Sequence, residues 1–171
     1  DSYSYEMIFE NFRHEFEKCA ERMVLQENLW QLERGRNSSD PMRISVLIHD
    51  CIERGKSNDC GGAKYNILEP DILGMQNVTE SLNVIKKLVF NEKFITVNKL
   101  KKALEDNYEG HKELLLQIRN KVPHFGTCDA ESNTISKSVA DMVLDAFKPM
   151  TTVRGAKIIP GAFSYLSLIH I

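Results

Sequence analysis

The sequence has no apolar run approaching the ~18 residues that a membrane-spanning helix needs, so nothing in it reads as a transmembrane segment. It has no excess of basic charge. Its 22 Lys and Arg stand against 24 Asp and Glu, a formal net charge of -2, whereas a nucleic-acid binder presents a basic face. Cysteine is scarce: Cys19, Cys51, Cys60 and Cys128 are too scattered for a disulfide framework. No CxxC pair occurs and no His sits at zinc-ligand spacing from a Cys, so four free thiols in a reducing compartment are expected. The opening DSYSYEMIFENF lacks a basic n-region and an apolar h-region, so no signal peptide is predicted. The sequons at Asn37 and Asn77 then read as coincidence. A first residue other than Met points to a cut from something longer. Phosphate loop, dinucleotide fingerprint, nucleophile elbow and internal repeat are all missing.

What is present suits one domain, or a piece of one. The 171 residues are 42% hydrophobic and 27% charged, enough to build a core and too evenly mixed for a disordered tail. Ile8, Phe12, Phe16, Cys19, Met23 and Trp30 recur at helical steps and predict one long amphipathic helix fading near Gly35. A polar loop follows. Pro41, with Asp40 as cap, then predicts a short, buried helix carrying Ile44, Leu47, Ile48, Cys51 and Ile52, closed by Gly55 as the residue after its C-terminus. The segment DCGGAKYNILEPDILG reads as a turn, a short extended piece and an irregular connection. Its adjacent Gly61 and Gly62 permit positive φ and close backbone approach.

Helical spacing returns with Val78, Leu82, Ile85 and Val89. Thr96 is the expected N-cap of a helix over Val97–Asn107 with Val97, Leu100, Leu104 and Tyr108 inward. Gly110 breaks it, His111–Lys121 forms another helix, and Pro123 stops that one. Ser132 is the expected cap of a last helix bearing Ile135, Val139, Met142, Val143 and Phe147. Thr151, Thr152, Val153, Ile158 and Ile159, punctuated by Gly155 and Pro160-Gly161, predict one or two strands with a tight turn.

Candidate chemistry in single residues is thin. Cys51 and Glu53 lie two apart, where helical side chains diverge, so Cys51 reads as a core thiol rather than a nucleophile with its base. His49-Asp50 points two ways for the same reason, and the five histidines are dispersed. Glu69 and Asp71 flank Pro70, and solvated loop acids are the reading there. Composition and spacing stop at a helix-rich chain with one Gly-rich loop and a strand-like end.

Longer runs carry more. CIERGKSNDCGGAKYN, then VTESLNVIKKLVFNEKFIT, then NYEGHKELLLQIRNKVPHFG, strongly resemble the glycyl radical enzymes. The likeness is to the pyruvate formate-lyase-type domain of the dehydratase, eliminase and decarboxylase branches. Val153-Arg154-Gly155-Ala156 through Pro160-Gly161 corresponds to that family's Arg-Gly…Pro-Gly strand region, with Thr152-Val153 in place of Asn-Pro. Gly126-Thr127-Cys128-Asp129 stands where the family has Gly-Asn-Asp-Asp.

The resemblance implies an α-rich α/β fold: part of a ten-stranded barrel, mostly its outer helices with a few short strands. Residues 1–164 are expected to be a partial pyruvate formate-lyase-type domain, and 165–171, which leave the family pattern, a non-native tail. It implies an anaerobic, cytoplasmic radical lyase or dehydratase as the parent, acting by dehydration or C–N or C–C cleavage on a small polar substrate. Pyruvate formate-lyase itself (formate C-acetyltransferase) is the alternative enzyme, and a non-catalytic helical interaction module the alternative of another class. The family's thiyl cysteine lies in Gly-Cys-x-Glu and its radical glycine in Arg-Val-x-Gly-aromatic. Neither motif is in this sequence, so no catalytic residue is expected here, and no directly bound cofactor or metal. The glycyl radical would lie outside and be installed by a radical-SAM activating enzyme. That activase, a small-molecule substrate and a second subunit of a homodimer are the implied partners, with no nucleic acid and no membrane. Tyr65, Asn66, Ile159, Pro160 and Ala162 are the implied pocket-wall candidates, against ordinary barrel packing, with Gly61 and Gly62 as a structural loop.

Overall fold

The computed structural model describes residues 3–37 and 42–163. The Asp40 and Pro41 capping positions and the 165–171 tail lie outside the described residues. The elements run α1 (Tyr5–Asn37), α2 (Met42–Ser45), a 3-10 turn (Asn58–Cys60), β1 (Ile67–Leu68), β2 (Asp71–Leu73) and α3 (Met75–Val84). A π-helix (Ile85–Asn91), α4 (Val97–Glu105), α5 (Lys112–Lys121), α6 (Ala130–Phe147), β3 (Lys157–Ile158) and β4 (Gly161–Phe163) complete the order. The fold is thus helix-rich with four short strands among the described residues. β1 pairs in parallel with β3, Ile67 opposite Lys157 and Leu68 opposite Ile158, and β2 pairs with β4.

The chain divides into two compact units. Of the described residues, the first takes 3–14, 73–142 and 162–163. One of its cores joins Leu82, Ile135 and Val139 to Tyr5, Phe9, Met75 and Val78. Another gathers Leu88, Val89, Leu100, Ala103, Leu114 and Val122. The expected single stripe Val78–Leu82–Ile85–Val89 is therefore split between two cores. The cause is the π-helix: i→i+5 bonding widens the turn and rotates the face that follows. The Glu92 N–H donates to the Lys87 carbonyl 2.8 Å away in that pattern. Thr96 caps α4 as expected, its hydroxyl accepting from the Lys99 N–H at 3.3 Å. Leu104, expected inward, is exposed, and Ala103 is the fully buried residue of that turn.

Ser132 is not the cap of α6. The Asp129 carboxylate accepts from the Ser132 N–H at 2.8 Å, and Ser132 itself is buried one turn inside. Its hydroxyl accepts from the buried Asn83 amide of α3 at 2.8 Å, and the same amide donates to the Pro123 carbonyl at 3.1 Å. One turn earlier on α3, Glu80 holds the next two residues. Its Oε1 accepts from the Phe125 N–H at 2.7 Å, and its Oε2 lies 2.9 Å from His124 Nδ1. Three successive residues after α5 are thus gripped by one face of α3.

The second unit takes Glu15–Ile72 and Val143–Gly161. Its stretch of α1 buries Ala20 and Val24, whereas Cys19 and Trp30, expected on the inner stripe, are exposed. Phe16 meets the buried Phe147 of α6 edge-on, ring centroids 6.2 Å apart. Val143, Phe147 and, in the other unit, Ile135, Val139 and Met142 are buried as the spacing predicts.

The expected buried helix after Pro41 is the largest correction. Only Met42–Ser45 is helical, and turns follow to Gly55. Asp50 sits at φ 73°, which no α-helix continues through. Of the apolar residues at helical spacing, Cys51 is buried, while Leu47 and Ile52 are 85% and 68% exposed. Periodicity favours a helix only where a surface receives its apolar stripe, since so short a helix has little stability of its own.

Candidate functional site

The site grows from the segment between that turn and β1. Gly55 at φ 59° ends it as expected: its N–H donates to the Ile52 carbonyl at 3.1 Å and the Lys56 N–H to the Cys51 carbonyl at 3.1 Å, a Schellman pair. Ser57 caps the 3-10 turn, its hydroxyl accepting from the Cys60 N–H at 3.3 Å. Ser45 Oγ accepts from the Asn58 N–H at 2.9 Å. Gly61 is left-handed at φ 77°, and the Gly62 N–H returns to the Ser57 carbonyl at 2.8 Å. Gly62 is buried against Cys51, whose thiol thereby reads as core, with Glu53 exposed. Arg54 Nη1 then donates to the Gly62 and Ala63 carbonyls at 2.9 and 3.1 Å, and Asn66 Nδ2 to the Ala63 carbonyl at 2.8 Å.

The opposite wall is the turn before β3. Thr152 is buried, and its hydroxyl accepts from the Ala156 N–H at 3.1 Å and the Arg154 N–H at 3.3 Å. The Val153 N–H donates to Asn28 Oδ1 of α1 at 2.9 Å. The Arg154 guanidinium reaches the Gln31 and Asn58 carbonyls at 3.3 Å each, and the Asp59 carbonyl. One planar cation thus ties α1 to the 3-10 turn.

Between these walls lies a cleft of about 360 Å³, lined in part by Glu27, Gln31, Arg34, Tyr65, Asn66 and Arg154. Glu27 Oε1 accepts from Gln31 Nε2 at 3.1 Å and pairs with Arg34 at 2.9 Å. Tyr65 is 80% exposed, its ring 5.5 Å from the Lys64 ammonium. The cleft offers amide, hydroxyl and phenol groups and one ion pair. Groups of this kind can hydrogen-bond and orient a small polar molecule, and no thiol or imidazole is among the described residues that line the cleft.

Of the pocket-wall candidates, the fold brings Tyr65 and Asn66 to this cleft. Ile159, Pro160 and Ala162 lie elsewhere, on the corner from β3 to β4. There the Ile159 N–H donates to the Leu68 carbonyl at 2.9 Å, and Ala162 is exposed. Arg154, Gln31 and Glu27 were not read from sequence as site residues. The only signal for Arg154 was its place in the Arg-Gly strand region. Glu69 and Asp71 are exposed, and His49 lies 3.8 Å from Asp50 with its ring in solvent. No helix among the described residues is long and apolar enough to cross a membrane.

The profile of the pyruvate formate lyase-like family matches residues 1–170. The chain belongs to that family. Its similarities reach dehydratases among the glycyl radical enzymes. It is 29% identical to trans-4-hydroxy-L-proline dehydratase of Clostridioides difficile over 154 residues, 90% of this chain and 19% of that protein. It is 29% identical to (2S)-3-sulfopropanediol dehydratase of Klebsiella oxytoca over 167 residues, 96% of this chain and 20% of that protein. Among solved structures, hydroxyproline dehydratase from Clostridioides difficile, with its substrate bound, superposes with a TM-score of 0.87 at 28% identity. That match covers 93% of this chain and 20% of the other. This pyruvate formate lyase-like chain therefore spans about a fifth of the length of the relatives it matches.

Proposed function

We propose that this chain is part of the barrel wall of a cytoplasmic glycyl radical enzyme that performs radical elimination or lyase chemistry on a small polar substrate. Dehydration is the leading reaction, with C–N or C–C cleavage beside it. The observation that carries the reading is the similarity, along 90% and 96% of the chain, to two dehydratases of small polar compounds. The parallel β1–β3 pair suits barrel strands. Leu47 and Ile52 lie open in the second unit, as apolar side chains do where further protein is to cover them.

In this reading a glycyl radical outside residues 1–171, installed by a radical-SAM activating enzyme, supplies hydrogen-atom abstraction. The chain's own work is to shape and shield the cavity. Tyr65 and Asn66 present polar groups to the cleft, and Ile159, Pro160 and Ala162 form the strand corner of the wall. Gly61 and Gly62 let the backbone turn tightly beside them. The full enzyme acts as a homodimer.

Electron paramagnetic resonance tests this. Treated anaerobically with a radical-SAM activase, the 171-residue chain gives no glycyl doublet. The full-length gene product gives one, and then eliminates water from a diol or hydroxy acid. A doublet from the short chain, or none from the full-length protein, overturns the proposal.

A further inference from the structure

The turn after α5 holds a histidine between two acceptors. His124 Nδ1 lies 2.9 Å from Glu80 Oε2 and Nε2 lies 3.1 Å from the Arg119 carbonyl oxygen. A carbonyl cannot donate. The Glu80 carboxylate already accepts the Phe125 N–H through Oε1 at 2.7 Å, so it also serves as an acceptor. A neutral imidazole has one N–H and one lone pair, and either tautomer points that lone pair at another. Only the imidazolium satisfies both contacts.

We propose that a cationic His124 latches residues 123–127 onto α3, and that the latch loosens when the ring gives its proton to solvent. The latch is built into the fold at several points. Thr127 closes the turn, its hydroxyl donating to the His124 carbonyl at 2.7 Å. Asn83 holds the Pro123 carbonyl one residue before, and Asp129 caps α6 just after. The turn therefore sets both the end of α5 and the start of α6.

The elements packed against the turn present the following groups among the described residues. α3 presents Glu80. α5 presents the Arg119 carbonyl, and its Lys121 carbonyl accepts from Lys87 at 2.6 Å. Glu131 of α6 is 3.0 Å from Lys86 and paired with it. Consistent with the geometry, the His124 pKa is raised above the ordinary histidine value, first by the bond to the Arg119 carbonyl and then by the bond to Glu80, with burial opposing. The sign follows. A group that holds its proton more tightly when folded stabilises fully below the unfolded value, about 6.5, and that contribution fades as pH rises through the raised folded value.

Histidine-ring NMR of the full chain across pH decides it. The His124 midpoint lies above that of a free histidine derivative, each unit of difference being about a tenfold preference for the cation. Glu80→Gln brings the midpoint down. Protection of the Phe125 amide from hydrogen exchange, corrected for the intrinsic rate, falls several-fold in the wild type between about pH 6 and about pH 8. It stays level in His124→Lys, which keeps a cation that does not titrate there. A wild-type midpoint at or below the free value overturns the latch, and needs no variant to fold. So does a Phe125 profile unchanged by His124→Lys.

Discussion

Adjacent Gly61 and Gly62 do different physical jobs, and single alanines separate them. Gly61 is left-handed at φ 77°, and a Cβ there would meet nothing closer than the Arg154 side chain at 3.9 Å. Its alanine suffers only the backbone strain of a left-handed residue, roughly 1–2 kcal/mol. Gly62 has no unusual φ but no room. A Cβ there would overlap the Lys56 carbonyl oxygen and sit 2.7 Å from Cys51 Sγ and 2.8 Å from the Ser57 carbonyl oxygen. Two of the three obstacles are backbone. The Ser57 carbonyl accepts from both Cys60 and Gly62, so moving it apart breaks that closure. Overpacking costs about 1–3 kcal/mol and a lost backbone bond about 1 more, so Gly62→Ala should cost roughly 2–4 kcal/mol.

Urea unfolding reads both variants, with the single tryptophan, Trp30, reporting from the same unit. Gly62→Ala should lower the midpoint about twice as far as Gly61→Ala at unchanged slope. Adding Cys51→Ala to Gly62→Ala removes the thiol obstacle alone and should restore little. If Gly62→Ala is no worse than Gly61→Ala, or the double variant regains most of the loss, then backbone approach is not why the second glycine stands there.

Substitutions at three further positions probe the joints of each unit. Asp129→Ala removes the cap of α6 and should cost about 1 kcal/mol in thermal unfolding, with Asp129→Asn close to wild type. Ser132→Ala, which a capping role would make equivalent, instead deprives the buried Asn83 amide of an acceptor and should cost roughly 1–3 kcal/mol. Arg154→Lys leaves one ammonium where a planar fork serves the Gln31, Asn58 and Asp59 carbonyls, and should cost about 1–3 kcal/mol. Faster hydrogen exchange across Asn58–Gly62 would report that loss, and unchanged exchange would refute the clamp.

How far the sequence reveals the fold depends on how local the cause is. α1, α4, α5 and α6 were legible because capping groups and apolar spacing act within a few residues. The cap of α6 was misplaced by three positions because Asp129 and Ser132 are both good caps, and only the tertiary bond to Asn83 claims Ser132 for the interior. The π-helix leaves no comparable mark, since IKKLVFN has ordinary helical composition. The turns after Ser45 were read as helix because Ile44, Leu47, Ile48, Cys51 and Ile52 keep the period. The period says which residues share a face if a helix forms, not that a surface is there to bury it.

The cleft depends on causes of longer range. Its walls come from α1, from Ile48 and residues 58–68, and from residues 152–156, so no short window of sequence contains it. Tyr65 and Asn66 entered through resemblance to a family, because their neighbours Gly61 and Gly62 mark the loop by chemistry that glycine alone supplies. Arg154 had its place in the Arg-Gly strand region as a signal, but nothing in the sequence said what it grips. Its partners are the backbone carbonyls of Gln31, Asn58 and Asp59, and every residue has a carbonyl. A cation that binds side-chain carboxylates leaves a trace in charge patterning, whereas one that binds main chain does not. Residues that assemble a site by gripping backbone are therefore the ones a sequence hides best, and they become legible only when the fold brings the carbonyls together.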